Sequence, residues 1–319
     1  MRAFSLQAFD KTPSLTVLPA PIPKQGEILV KIAACGLNFA DLLMIKGTYQ
    51  QTPQPPFTLG MEVGGHVIGM GPDTSGFAIG QRVAVFGGQG GLADLGCFPA
   101  AQAVAIPDNM SFEDAAALQV AYGTSHVALG YKAKLAAGET LLVLGAAGGV
   151  GLTAVEIGKL MGARVIACAR GQEKLSAARQ AGADHLIDSE SEDIRLAIKD
   201  LGGADVVYDP VGGSQFTAAL RACNPDARML AIGFASGDVP QIPANHLLVK
   251  NITVIGFYWG GYLSHRPSVV TDSLKQLVQW HAQGAIKPHI SHVLPLTNAA
   301  EGLELLRSRK STGKIVICP

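Results

Sequence analysis

Two groups of residues have types and spacings suited to holding a charged ligand. The first is the run Ala146-Ala147-Gly148-Gly149-Val150-Gly151, an A-x-G-x-x-G pattern with Gly145 one step earlier. Gly148 and Gly149 lack a Cβ, so the backbone there can turn sharply and come close to a pyrophosphate. Gly151 lets a following helix pack tightly on its strand. The free N–H groups that open such a helix face an anion without needing an acid or a base. The second group is Arg170, at the end of the next apolar run, with Lys174 one helical turn later. A dinucleotide site selective for NAD places Asp or Glu there, on the ribose 2′-OH. Here a cationic pair stands instead, and a 2′-phosphate needs cationic donors. The pair points to NADPH rather than NADH. Glu173 between them serves the positive end of its helix. The alternative is that Arg170 and Lys174 are ordinary solvated charges.

The surrounding texture supplies the elements that would position these groups. Residues 141–144 form a strand-sized apolar run, and a helical pattern covers 150–159. The alternation continues: 164–169 then 172–181, 185–187 then 193–200, 206–208 then 214–222, with 229–232 and 252–257 completing the set. Six short strands with crossover helices predict an α/β, doubly wound parallel sheet. Apolar runs bracketed by Gly fit strands buried on both faces. The first 120 or so residues read differently. Strand candidates at 27–33, 63–70, 82–86 and 103–106 are separated by Gly and Pro, which predicts a barrel-like β domain. A helix opens at 111–117 with Ser111 as its N-cap. After residue 261, helices at 268–283 and 298–309 alternate with strands at 289–294 and 314–318, and this tail is expected to return to the first domain.

Composition narrows the function classes. The 319 residues suit about two domains, and 48% apolar against 16% charged residues gives ample core and little sign of disorder. Lys+Arg and Asp+Glu balance at 25 each, against a nucleic-acid or anionic-membrane partner. Met1-Arg2 leads directly into mixed polar sequence, which reads as no secretory leader, and no apolar run reaches the ~18 residues of a membrane span. The five cysteines, at 35, 97, 168, 223 and 318, form no CxxC. They fit a reduced cytosol better than a disulfide or zinc framework, so a cytoplasmic protein is expected.

Several blocks together resemble the medium-chain dehydrogenase/reductase superfamily and, within it, the zinc-independent quinone oxidoreductases. They are CGLNFADLLMIKGTY (35–49), PPFTLGMEVGGHV (55–67), GAAGGVG (145–151), VVYDPVGG (206–213), IGFASG (232–237), LLVKNITVIGFYWG (247–260) and RSRKSTGKIV (307–316). The resemblance covers nearly the whole chain. It implies a GroES-like, partly open β-barrel catalytic domain, expected at 1–122 and 262–319, split around a Rossmann NADPH-binding domain at 123–261. Zinc alcohol dehydrogenases of the same superfamily carry a Cys where this chain has Asn38 and GHE where it has Gly60-Met61-Glu62. Their third ligand falls near Gln119, and their four-cysteine lobe would lie around 87–96. None of these ligands is present, and His66, His126 and Cys35 read as packing or surface residues, so no metal is expected.

Without a Lewis acid, a substrate has to be activated in itself. Quinones and α,β-unsaturated carbonyls qualify, because conjugation spreads the charge that hydride addition creates. The resemblance implies hydride transfer from NADPH to a quinone, or alternatively to an activated C=C bond of an enone, enal or acryloyl thioester. A protein doing this must position both partners and offer a donor to the developing oxyanion. By its place in the motif, Asn38 is the first candidate donor, against a turn or cap role. Tyr49 is a candidate proton source or substrate wall, and Asp41 an orienting neighbour. The resemblance also assigns Thr124 to the nicotinamide end with Phe257 and Trp259. Residues 147–150 go to the pyrophosphate, Gly233 and Phe234 pass the cofactor after the fifth strand, and Arg309 closes on the phosphates. It implies a homodimer through the edge strand at 252–257. From a different class, a non-catalytic NADPH-binding protein is opposed by the retained Asn38, Tyr49 and Thr124.

Overall fold

The computed structural model describes all 319 residues, and they group into two units, Met1–Val120 with Leu274–Pro319, and Ala121–Ser273. The expected divisions lay at 122/123 and 261/262. Both observed divisions fall inside helices, and the second is later because the helix that opens the C-terminal tail straddles it.

Unit 1 begins with β1 (Arg2–Leu6), β2 (Ser14–Val17), β3 (Glu27–Gly36), α1 (Phe39–Ile45), β4 (Phe57–Thr58), β5 (Glu62–Met70), β6 (Arg82–Phe86), β7 (Leu95–Pro99) and β8 (Ala103–Ala105). The first half of α2 (Phe112–His126) also belongs to it. β1, β2 and β4 form a small sheet; the larger sheet takes two strands from the C-terminal tail, β15 (Ile290–Pro295) and β16 (Lys314–Cys318), and runs β15-β16-β3-β5-β6-β8 with β7 also paired to β3. β3 is the hub: Ile28, Val30, Ile32 and Ala34 alternate inward with period two and are buried. The start of α2 lies hard against this sheet. A Cβ on Gly36 would sit 2.1 Å from the carbonyl oxygen of Ala116, so only glycine lets the helix approach.

Unit 2 takes the rest of α2, then β9 (Thr140–Leu144), α3 (Gly149–Leu160), β10 (Arg164–Ala169), α4 (Gln172–Gln180), β11 (His185–Asp188), α5 (Ile194–Asp200), β12 (Ala204–Asp209), α6 (Gly213–Ala222), β13 (Cys223–Ala231), α7 (Ala244–Lys250), β14 (Thr253–Gly256) and α8 (Tyr262–His265). Its six strands are all parallel, in the order β11-β10-β9-β12-β13-β14. Numbered from β9, that is 3-2-1-4-5-6, with the reversal of winding between β9 and β12. β9 is buried along its whole length, and Leu142, Leu144, Ile166, Cys168, Val207, Phe216 and Met229 share one core. The chain then returns through α9 (Pro267–Ala282), β15 (Ile290–Pro295), α10 (Ala299–Arg307) and β16 (Lys314–Cys318). β16 pairs with β3, so the tail completes the sheet of unit 1.

Candidate functional site

In unit 2 the A-x-G-x-x-G run forms the turn between β9 and α3, at the carboxyl ends of the strands where the winding reverses. Gly148 is the N-cap of α3; no side chain caps the helix, and its first turn carries no carboxylate. The N–H groups of a first helical turn have no acceptor within the helix, so this end is left to take an anion. The close packing expected of Gly151 is present. A Cβ there would meet the carbonyl oxygen of Gly145 at 2.2 Å. Gly145 has φ +58, and a Cβ on it would strike Val211 of the loop after β12. That loop is itself pinned by Asp209, which accepts from Val211 N and Gly212 N at 2.7 and 2.9 Å. Burial pushes this carboxyl upward, and the two N–H groups oppose it.

Arg170 is exposed immediately beyond β10, and Lys174 is half-buried in the first turn of α4. The residue between the strand and the helix, Gly171, donates its N–H to Asp188 Oδ1 at 3.0 Å. Asp188 ends β11 directly beside Ala169. It is a carboxylate in this neighbourhood that sequence reasoning missed, and its hydrogen bonds from Gly171 and Glu190 hold it below the ordinary carboxylate range. Its signal lay in the strand alternation: β10 and β11 are neighbouring parallel strands, and their last residues stand side by side.

Among the residues assigned to the nicotinamide end, Trp259 and the segment of Thr124 meet. Thr124 is buried, and the Trp259 indole lies over Gly123, where a Cβ would come within 2.9 Å of Nε1. Phe257 packs on Tyr262 with ring centroids 5.8 Å apart. Gly233 follows β13, and Phe234 lies over Gly212. Arg309 is in unit 1. It sits at φ +56 just past α10, with Arg309 N donating to Leu306 O and Lys310 N to Leu305 O.

Unit 1 holds a buried charged network around Asn38. Asn38 is the N-cap of α1, and Asp41 completes the box by accepting from Asn38 N at 2.8 Å. Asp41 also accepts from Gly60 N at 3.2 Å. Asn38 Nδ2 donates to Glu62 Oε1 at 2.8 Å and to Gly36 O at 3.3 Å. Lys314 Nζ spends its three donors on Leu37 O at 2.7 Å, Asn38 Oδ1 at 2.8 Å and Glu62 Oε1 at 2.8 Å. The other oxygen, Glu62 Oε2, accepts from Val120 N at 2.8 Å. Glu62 and Lys314 are 0% and 4% exposed at their side chains, so this ion pair is buried. Burial raises Asp41 to about 6, aided by Glu62 and opposed by its two backbone donors and Lys314.

This arrangement engages the whole amide of Asn38. Asn38 was the candidate donor to a reacting oxygen, but both of its N–H bonds are aimed at protein acceptors, one of them a buried carboxylate. Asp41 holds the backbone N–H groups of Asn38 and Gly60, and Tyr49 is half-buried in the turn after α1, its carbonyl accepting from Thr52 Oγ1 at 2.8 Å. Glu62 and Lys314 were missed as functional candidates. The signal was present: a charged residue opens each of two otherwise apolar strands.

Of the positions compared above with the zinc alcohol dehydrogenases, Asn38 lies in this network, while Met61 and Gln119 stand outside it. Met61 is buried, and Gln119, fully buried, donates to Val63 O and Ala115 O at 3.2 and 3.3 Å. No group of three or more His, Cys, Asp and Glu side chains is placed to hold a metal ion.

Comparison with known proteins decides the family. An alcohol dehydrogenase GroES-like domain matches residues 24–108, and a zinc-binding dehydrogenase domain matches 149–280. A quinone oxidoreductase-like protein 2 homolog of Nematostella vectensis is 39% identical over 298 residues, covering 92% of this chain and 81% of that protein. The chain belongs to the quinone oxidoreductase-like family of medium-chain dehydrogenases/reductases. Quinone oxidoreductase folds superpose over the full chain. The enzyme from Thermus thermophilus, solved with and without NADPH, gives a TM-score of 0.89 at 32% identity, each chain covered completely. The Escherichia coli quinone oxidoreductase in complex with NADPH gives 0.90 at 28% identity, covering 100% of this chain and 99% of that one. Unit 1 of this quinone oxidoreductase-like chain is therefore the GroES-like domain, and unit 2 the Rossmann domain.

Proposed function

We propose that this protein transfers hydride from NADPH to quinones without zinc. Its class is an oxidoreductase of the quinone oxidoreductase family, and its cofactor is NADPH. The observation that carries the cofactor reading is the start of α3: uncapped, free of acidic residues, and closely approached by its own turn through Gly151. Residues 147–150 hold the pyrophosphate there. Arg170 and Lys174 take the 2′-phosphate, and Asp188 holds Gly171 so that the turn between them keeps its shape. Thr124, Phe257 and Trp259 form the nicotinamide end, with Gly233 and Phe234 along the cofactor, and Arg309 supplies a further cation to the phosphates.

When bound, the cofactor supplies the hydride. The chain's part is to orient, to exclude water and to deliver the balancing proton. Asn38, Asp41, Glu62 and Lys314 fix the segment that joins β3 to α1, and Tyr49, in the same motif, is the proton source we favour. Metal-free chemistry is supported by the donor set at 38, 61 and 119, where an amide, a thioether and an engaged amide stand. A quinone meets the requirement that follows, because its reduction product spreads charge over an aromatic ring.

The Rossmann sheet ends in β14, whose outer edge is unpaired within the chain, and Leu248 and Val249 of the adjoining α7 are 78% and 74% exposed. An apolar edge of this kind is normally covered. It supports a homodimer through this strand. No helix is long and apolar enough to cross a membrane, and the five free cysteines suit a reducing cytoplasm.

The test is NADPH consumption with 1,4-benzoquinone, 9,10-phenanthrenequinone, an enone and an acryloyl thioester, with product analysis and an NADH control. Hydroquinone formed with NADPH preference supports the proposal. A saturated carbonyl product with slow quinone turnover moves the protein to activated-alkene reduction.

A further inference from the structure

Three buried hydroxyls meet in unit 2 and take no part in the function above. Ser125 Oγ lies 2.8 Å from Thr153 Oγ1 and 3.0 Å from the Tyr208 hydroxyl. Ser125 and Tyr208 are 0% exposed, and Thr153 is 4% exposed. The cluster reaches two backbone carbonyls: Val150 O, 3.0 Å from both Ser125 Oγ and Thr153 Oγ1, and Ala121 O, 3.1 Å from Thr153 Oγ1. Burial pushes the Tyr208 phenol above its ordinary range, so it stays protonated and acts as a donor. One assignment satisfies all three hydroxyls. Tyr208 and Thr153 both donate to Ser125 Oγ, and Ser125 donates to the Val150 carbonyl, so each hydroxyl–hydroxyl contact holds one proton. Chains of this kind reinforce one another in a dry interior, and each member left unpaired is costly.

The chain's ends matter. Val150 is in the first turn of α3, at the pyrophosphate. Ser125 follows Thr124, and Gly123 carries the Trp259 indole, so this segment of α2 is the nicotinamide side. Tyr208 anchors both to β12, the strand beside the reversal of winding. We infer that Ser125 is a positioning residue for the cofactor, locking the nicotinamide-side segment of α2 in register with the phosphate-binding turn through Val150. This rests on the NADPH reading given above. A ligand that bridges two segments already held at the right spacing does not have to order them on binding. A ligand that touches only the phosphate end gains nothing from that spacing.

The test compares whole NADPH with adenosine 2′,5′-bisphosphate, which reaches the phosphate end alone. Dissociation constants are measured by calorimetry for wild type, Ser125→Ala, Tyr208→Phe and Thr153→Val, with near-ultraviolet circular dichroism confirming a native fold. Tyr208→Phe keeps the ring and removes only the hydroxyl, so it carries the test if Ser125→Ala folds poorly. NADPH is expected to weaken about fivefold to tenfold in each variant, while the fragment changes less than about twofold. Equal weakening of both ligands overturns the inference, because the cluster then only supports the turn. Unchanged NADPH affinity overturns it as well. A wild-type protein that binds neither NADPH nor the fragment removes the NADPH reading and the inference with it.

Discussion

Lys314 Nζ donates to Asn38 Oδ1 at 2.8 Å while Asn38 Nδ2 donates to Glu62 Oε1 at 2.8 Å, so an amide lies between two buried opposite charges. Its orientation is fixed by electrostatics. Turned over, it would place its oxygen on the carboxylate and its nitrogen on the ammonium. As a mere helix cap, Asn38 would accept Asp in exchange at no cost. In the network, Asn38→Asp brings a second carboxylate onto Glu62. Asn38→Ala should cost about 1–3 kcal/mol and Asn38→Asp more than that at pH 7.5. The gap should narrow at pH 5 as one carboxyl takes a proton. Urea midpoints at the two pH values read this, and an Asp variant as stable as wild type at pH 7.5 would contradict the network.

Lys314→Met leaves Glu62 as a buried charge without its cation, an effect of about 3–5 kcal/mol. Replacing both, as Lys314→Met with Glu62→Leu, should be less damaging than Lys314→Met alone, since no bare charge remains. Some loss persists, because Val120 N has no acceptor. Chemical denaturation of the two variants measures the ordering; a double variant worse than the single one refutes it.

Asp41 has its folded pKa raised from 3.8 to about 6. The folded state then binds a proton more tightly than the unfolded chain, so stability contributed by this group increases as pH falls from about 6 toward 4. Full titration of a difference of this size amounts to roughly 3 kcal/mol. Asp94, Asp184 and Asp188 are shifted the other way and act below about 4. The difference in unfolding free energy between wild type and Asp41→Asn should therefore grow on acidification from pH 7 to 5. A difference that is flat with pH excludes the buried-carboxylate account.

Arg170→Ala with Lys174→Ala should raise the NADPH KM by about tenfold or more, since two charge-assisted contacts to a dianion are removed. The NADH KM should hardly move. Steady-state kinetics with both cofactors decide it, and parallel changes would show that the pair does not read the 2′-phosphate.

Arg309 occupies a left-handed backbone position past α10 that glycine adopts without strain. Arg309→Gly should be more stable than Arg309→Ala by about 0.5–1 kcal/mol, yet both should bind NADPH equally weakly if the cation is what matters. Thermal unfolding and NADPH titration separate the two effects. Recovery of affinity in only one variant would mean that backbone shape, rather than charge, serves the cofactor.

The parallel sheet was legible because its strands are apolar on both faces and each is followed by a helix-length segment. The ends of β10 and β16 fell where the sequence placed them. The N-terminal part was harder. β1, β2, β7 and α1 gave no sequence signal strong enough to place them, because short strands at the rim, such as the mostly exposed β2, lack a sustained period. Asn38 was found and its partners were not. Its motif position revealed importance, but the charged partners of its amide nitrogen and oxygen lie 24 and 276 residues away. No local pattern reports such pairings. Lys314 at the head of β16 and Glu62 at the head of β5 were visible only as charges in apolar strands. Their meeting depends on β3 standing between β5 and β16.

Unit 2 is one uninterrupted stretch, whereas unit 1 is written in two pieces with its last strand at the far end of the chain. During synthesis the six parallel strands can all be out of the ribosome and paired while β16 is still being made. Until it arrives, the Cys35–Gly36 end of β3 lacks its partner strand and Glu62 has no cation. The GroES-like half is thus the last to close, because its sheet waits for a strand made after the whole of unit 2.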